Sequence, residues 1–282
     1  MSFEIGSPFA CIGVYSRFLA HPKPIVMTSH GGPFSNAARN LRQLGSSPAC
    51  WCWVALVFGI QLLVTAVGGQ DRQPARWWFE IFGLNQQDVL TGKIWQIFTY
   101  GFLHGGWLHV GLNSLLLLLI GSRIEHMTGH AVMVKATIFG VLGGGGGHLI
   151  LAPSSPDAPL LVGLSGGCVA LLLLLTTLSP QSRMMPIPVS GKSLGLGILT
   201  TELVLALADS DLGLPGFAAL GKSLDRHGLG SGFQLGHACH FGGGLAGWLF
   251  GKWLLRPRIT LKRLRRDRER REASESGQSG IS

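Results

Sequence analysis

Six stretches of this chain, 52–67, 107–120, 131–152, 160–178, 194–208 and 236–255, carry few or no charges. A helix that crosses a hydrocarbon core roughly 30 Å thick needs about 20 mostly apolar residues, and lipid offers its backbone no hydrogen-bond partner. The runs therefore predict an all-α membrane protein, a compact six-transmembrane-helix bundle. The second and fifth runs are short and hold His109, Asn113 and Glu202, so helix limits and apolar limits need not coincide there. Glycines inside the runs, among them Gly143 to Gly147 and the pair Gly243 and Gly247, predict helices in close backbone contact.

Charge sets the rest of the organisation. Only 13% of residues are charged, against roughly 25% in soluble domains, too few to coat a soluble globule. The net charge of +9 does not describe a nucleic-acid-binding face, because ten of the 23 basic residues lie between positions 252 and 271. Residues 256–282 read as a basic cytoplasmic tail, a topology signal or a membrane-surface anchor. With the N-terminus inside, 18 Lys and Arg fall on inner segments and five on outer ones, so both termini are expected in the cytoplasm. Residues 1–48, without periodicity, read as a mobile cytoplasmic N-terminal arm, and 49–255 as the membrane domain. In the absence of organelle signals the expected location is a bacterial plasma (inner) membrane. The aromatic cluster at 76–82 suits the headgroup layer. Five cysteines without a C-x-x-C pair give no disulfide framework.

Ionisable and polar groups at membrane depth are costly, so each is a candidate for function. Three sets stand out: His104, His109 and Asn113; Gly163-Leu164-Ser165-Gly166-Gly167; and His237 with His240. Under the predicted topology each opens an outside-to-inside helix, so all three share one depth. A serine hydroxyl needs a neighbouring base to become a nucleophile, and a neutral imidazole serves; Ser165 and His240 fit those parts. Flanking glycines permit an unusual turn, and the Ser165 N–H faces a developing oxyanion. His109 and Asn113, four apart, share a helix face and can donate to the same oxyanion.

These residues resemble the rhomboid family of intramembrane serine proteases. Gly163-Leu164-Ser165-Gly166 is similar to its G-x-S-G motif. His104 with His109-x-x-x-Asn113 is similar to its second-helix signature, and His240 with Gly243 and Gly247 to its sixth-helix pattern. Trp95-Gln96-Ile97-Phe98-Thr99 resembles W-R-x-x-T, with Gln96 where arginine is usual. The resemblance implies a rhomboid-like bundle, catalysis by Ser165 and His240 without an acidic third member, and cleavage of transmembrane protein substrates near the outer face. It implies an oxyanion site of His109, Asn113 and the Ser165 N–H, supported by His104, Gly163, Gly166, Gly243 and Gly247. Val169 stands where many members have an aromatic residue against the catalytic imidazole, which leaves the orientation of His240 open.

Other readings stand beside this one. The string Gly163 to Gly167 also satisfies the nucleophile elbow of soluble hydrolases, which needs a strand before it and a parallel sheet around it. His237 with Cys239, His240 or Cys168 resembles a metal site only loosely, with neither an H-E-x-x-H motif nor a carboxylate ligand set expected beside it, so no metal or cofactor is expected. Glu202 reads as a buried acid bonded to a neighbour, or as a gating or proton-handling group. Glu125 and Arg123 read as a cap and charge pair, and Cys168 and Cys239 as small packing residues. The function is either intramembrane proteolysis or the binding of transmembrane helices by a catalytically silent relative; a small transporter would need an internal repeat. The partners expected are transmembrane substrates and the lipid bilayer, with no nucleic acid; the sequence leaves the oligomeric state open.

Overall fold

The computed structural model describes residues 43–68, 75–153, 159–184, 189–227, 236–256 and 265–270. Most of the expected N-terminal arm and most of the basic tail lie outside the described residues. Helix α1 spans Pro48–Ala66. Three short helices follow, α2 Ala75–Phe82, α3 Gln86–Leu90 and α4 Gln96–Thr99. Then come α5 Trp107–Thr128, with a π-helical turn at Leu117–Gly121, and α6 His130–Leu151. Helix α7 spans Ser165–Leu178, and a two-residue hairpin pairs β1 Arg183–Met184 with β2 Val189–Ser190. The remainder is α8 Gly191–Leu207, α9 Phe217–Arg226 and α10 His237–Leu254.

A helix forms in each of the six apolar runs. Among the described residues, α1, α5 and α6 are long and apolar enough to cross a membrane by length and composition, and α7 is a shorter apolar helix of 14 residues. Two limits differ from the apolar runs for identifiable reasons. Helix α5 continues past residue 120 because the polar residues there are used: the buried Glu125 carboxylate accepts from the Ala49 and Cys50 N–H groups, each at 3.2 Å, and meets His130 Nδ1 at 3.1 Å. It thereby satisfies N–H groups that the first turn of α1 cannot pair internally. The side chain it meets is His130 rather than Arg123, which is exposed. Helix α7 starts at Ser165, not near 160, because Leu161 pairs with Leu84 in an antiparallel bridge and Gly163 has φ +119°.

Glycines bring α6, α7 and α10 together. A β-carbon on Gly243 would overlap the Gly166 carbonyl, and one on Gly247 the Ala170 carbonyl, so α7 and α10 run parallel with their backbones touching. Helix α6 runs antiparallel to both, with Gly140 against Gly167 and Ala170, and Gly143 and Gly147 against Gly242. Of the run Gly143 to Gly147, only Gly146 faces open space. Contacts of Gly121 with Leu171 and of the Asn113 carbonyl with Cys168 Sγ set α5 parallel to α7. Helix α8 runs the other way, with Gly195 against Thr176 and Leu199 against Gly244.

The loop before α5 is held by Trp95, Gln96 and Thr99. The last carbonyls of α2 have no partner within the helix. Trp95 Nε1 donates to Ile81 O at 2.9 Å and Thr99 Oγ1 to Phe82 O at 2.8 Å. The fully buried Gln96 donates through Nε2 to Glu80 O at 3.2 Å, Ile81 O at 3.3 Å and Asp88 Oδ2 at 3.1 Å, and accepts from Asn85 N at 3.1 Å. An amide with both donors and an acceptor does here what a guanidinium, donor only, cannot do alone.

Burial raises the Asp88 carboxyl, but bonds from Lys93 and Gln96 outweigh it and hold it below its ordinary value. Gln96→Leu is expected to cost about 1 kcal/mol by leaving part-buried groups unpaired, read as a lower melting temperature in detergent. The part that runs through Asp88 is present above the ordinary carboxylate pKa and fades as pH falls through the lowered one. An unchanged melting temperature would remove Gln96 from this role.

Candidate active site

The chain enters α7 through a tightly defined segment. Leu161 exchanges two backbone hydrogen bonds with Leu84, each 3.0 Å, and Gly163 N donates to Tyr100 O at 3.0 Å. The Gly163 φ of +119° is one that side-chain-bearing residues rarely adopt. Leu164 N then donates to His104 Nε2 at 3.4 Å. His104 is buried, and as an acceptor at Nε2 it is a neutral ring that holds backbone. Ser165 follows as the first residue of α7, half-buried, where the helix presents N–H groups without internal partners.

Two side chains of α5 close on this segment. A β-carbon on Gly163 would lie 2.7 Å from His109 Cε1 and Nε2 and 3.5 Å from Asn113 Nδ2. Only glycine lets them approach so closely. The His104 and His109 rings stand edge to face with centroids 5.1 Å apart. Asn113 is buried, and among the described residues no acceptor reaches its Nδ2. A buried amide donor without an acceptor is costly unless something else uses it.

Helix α10 brings the remaining groups. Its first turn carries His237 and His240, which face Glu202 of α8. Glu202 Oε2 lies 2.7 Å from His237 Nδ1, and Oε1 lies 3.4 Å from His240 Nδ1. The side chains of His237, His240 and Glu202 are 9%, 15% and 19% exposed. Their ligand-type atoms all lie within 4.8 Å of one another, the only such group of three His, Cys, Asp or Glu among the described residues. One carboxylate and two imidazoles are a donor set a metal can use, but here they already pair with each other. Cys168 and Cys239 are buried free thiols, and Cys239 Sγ meets Tyr100 Oη at 3.4 Å. Val169 packs along α10 beyond His240, with its Cγ1 3.2 Å from a β-carbon position on Gly244.

A model of the Rhomboid domain matches residues 91–257, more than half of the chain and all of the elements just described from α5 onward. The chain belongs to the rhomboid family. It is accordingly an all-α integral membrane protein. Over 83 residues it is 36% identical to Rhomboid-related protein 3 of Homo sapiens, a stretch covering 29% of this chain and 20% of that protein. Over 95 residues it is 33% identical to Rhomboid-like protein 16, chloroplastic, of Arabidopsis thaliana, covering 32% of this chain and 29% of that one. The matched stretches thus span less than a third of either curated relative.

Within this rhomboid domain the residues singled out by sequence converge at the start of three parallel helices. His109 and Asn113 surround Gly163, His104 holds the next residue, and Ser165 opens α7. Gly166 and Gly243 are the contact that ties α7 to α10, one turn past His240. Among the described residues no hydrogen bond joins Ser165 Oγ to His240. The pairing of Glu202 with His240 has no local signature in the sequence, because the two sit on different helices and only the antiparallel packing of α8 on α10 brings them together.

Proposed function

We propose that this chain is an intramembrane serine endopeptidase that cleaves transmembrane proteins near the outer face of the membrane. In this reading the chain crosses a bacterial inner membrane six times with both termini in the cytoplasm and uses no cofactor. The observation that carries it is the clustering at Gly163, where His109 and a buried Asn113 amide that finds no acceptor among the described residues close on the segment that opens α7 at Ser165. Such a set of donors suits the oxyanion of acyl transfer better than it suits packing.

The chemistry follows from these parts. His240 accepts the Ser165 hydroxyl proton as Oγ bonds to the scissile carbonyl carbon, and the carbonyl oxygen takes up negative charge. The Ser165 N–H, His109 and Asn113 donate to that oxygen. The proton on His240 passes to the leaving amine as the C–N bond breaks, and water then releases the acyl group by the same steps. That no hydrogen bond joins Ser165 Oγ to His240 among the described residues fits a site that tightens with substrate bound.

His109→Ala and Asn113→Ala test the oxyanion assignment. Each is expected to lower kcat by a factor on the order of ten to a thousand with little change in KM, while Ser165 still labels slowly with a serine-hydrolase probe. Interhelical polar packing alone would instead lower the melting temperature, by about 0.6 kcal/mol per bond on average, and leave turnover per labelled site unchanged. The alternative, a catalytically silent member that binds transmembrane helices, draws on Val169 and on the lack, among the described residues, of a hydrogen bond from Ser165 Oγ to His240. It predicts no labelling at Ser165.

A further inference from the structure

We infer that Glu202 is the positioning residue of His240, so that this chain sets its base with a carboxylate. The inference rests on the protease reading above and departs from the two-residue arrangement that the sequence pattern implies. Val169 offers only methyl groups to α10 and packs beyond His240, so no ring of α7 steadies the imidazole from that position. A carboxylate does so instead. The two oxygens of Glu202 are divided between two rings: Oε2 is 2.7 Å from His237 Nδ1 and Oε1 is 3.4 Å from His240 Nδ1.

An ionised carboxylate only accepts, so each imidazole presents its N–H at Nδ1, and His240 is left with a lone pair at Nε2 for a serine proton. The short bond to His237, whose ring stands edge-on to that of His240 with centroids 6.2 Å apart, fixes where Oε1 points. His237 therefore anchors Glu202, and Glu202 orients His240. When Ser165 Oγ bonds to the carbonyl carbon, its proton moves to His240 Nε2. The imidazolium donates through Nδ1 to Oε1, which stays ionised, and the Nε2 proton leaves with the amine. A charged side chain at membrane depth on α8 has in this pairing a reason to be there.

The test uses the full-length protein in detergent with a cleavable transmembrane peptide, comparing wild type, Glu202→Gln, Glu202→Asp and Ser165→Ala. Glu202→Gln keeps the shape and removes the charge. It is expected to lower kcat about 10²- to 10⁴-fold at nearly unchanged KM, and to slow probe labelling of Ser165 alike. Glu202→Asp keeps the carboxylate and should recover part of the loss. Turnover is counted per labelled site, so unfolded protein does not enter. Unchanged turnover per site in Glu202→Gln, or equal turnover in the Gln and Asp variants, would overturn the inference while Ser165→Ala stays inactive. Wild-type cleavage abolished by a chelator and restored by Zn²⁺ would overturn it too, by making the trio a metal site. Cleavage by Ser165→Ala would reject the protease reading itself.

Discussion

Alanine at Ser165 or at His240 is expected to abolish cleavage of transmembrane peptides, each lowering kcat by about 10⁴- to 10⁶-fold. The double variant should be no worse than either single one, because residues that act as one unit lose their whole contribution when the first is removed. Both variants should remain folded. Among the described residues neither side chain ties helices together by a polar contact, apart from that of His240 with Glu202. The measurement is cleavage rate against melting temperature in the same detergent. Multiplied losses in the double variant would mean that the two residues act separately.

The second large effect concerns the packing that fixes the site. Gly243→Leu should prevent accumulation of folded protein, since even a β-carbon there would overlap the Gly166 carbonyl and lie 2.8 Å from its carbonyl carbon. Backbone cannot swing aside as a flexible side chain does, so the cost should exceed the about 1–3 kcal/mol usual for overpacking. Gly146→Ala is the contrasting substitution: nothing lies within 4 Å of its β-carbon position, although it stands in the same glycine run of α6. It should fold normally, and even gain about 0.5–1 kcal/mol from better helix propensity. Size-exclusion profiles and melting curves of the two variants separate packing glycines from idle ones. Equal behaviour would mean that the α7–α10 contact does not hold the bundle.

The positions of the six main helices could be read from apolar runs because lipid and core ask for the same side chains over the same length. Ends were less legible. Glu125 looks like the end of a helix in a hydropathy profile, yet its carboxylate caps α1, a contact from residues some 75 positions away. Leu160 to Leu164 look like the start of one, yet they pair with Leu84 and turn at Gly163. That Ser165, His109 and Asn113 lie close together was legible because polar groups in apolar sequence are few and share one depth in the predicted topology. The effect of Gln96 was not, since a glutamine reads as a lost arginine until its four partners are seen. Glu202 was visible as an oddity, but nothing in linear spacing tells which histidine it meets.

The central claim is that Ser165 is a nucleophile activated within the membrane domain. A fluorophosphonate probe bonds only to a serine whose proton has a base to go to, and digestion followed by mass spectrometry locates the adduct. The account predicts one adduct per chain, on Ser165 in α7, lost in His240→Ala and slowed in Asn113→Ala. An unlabelled wild-type protein of native melting behaviour, or an adduct on any other residue, would contradict it.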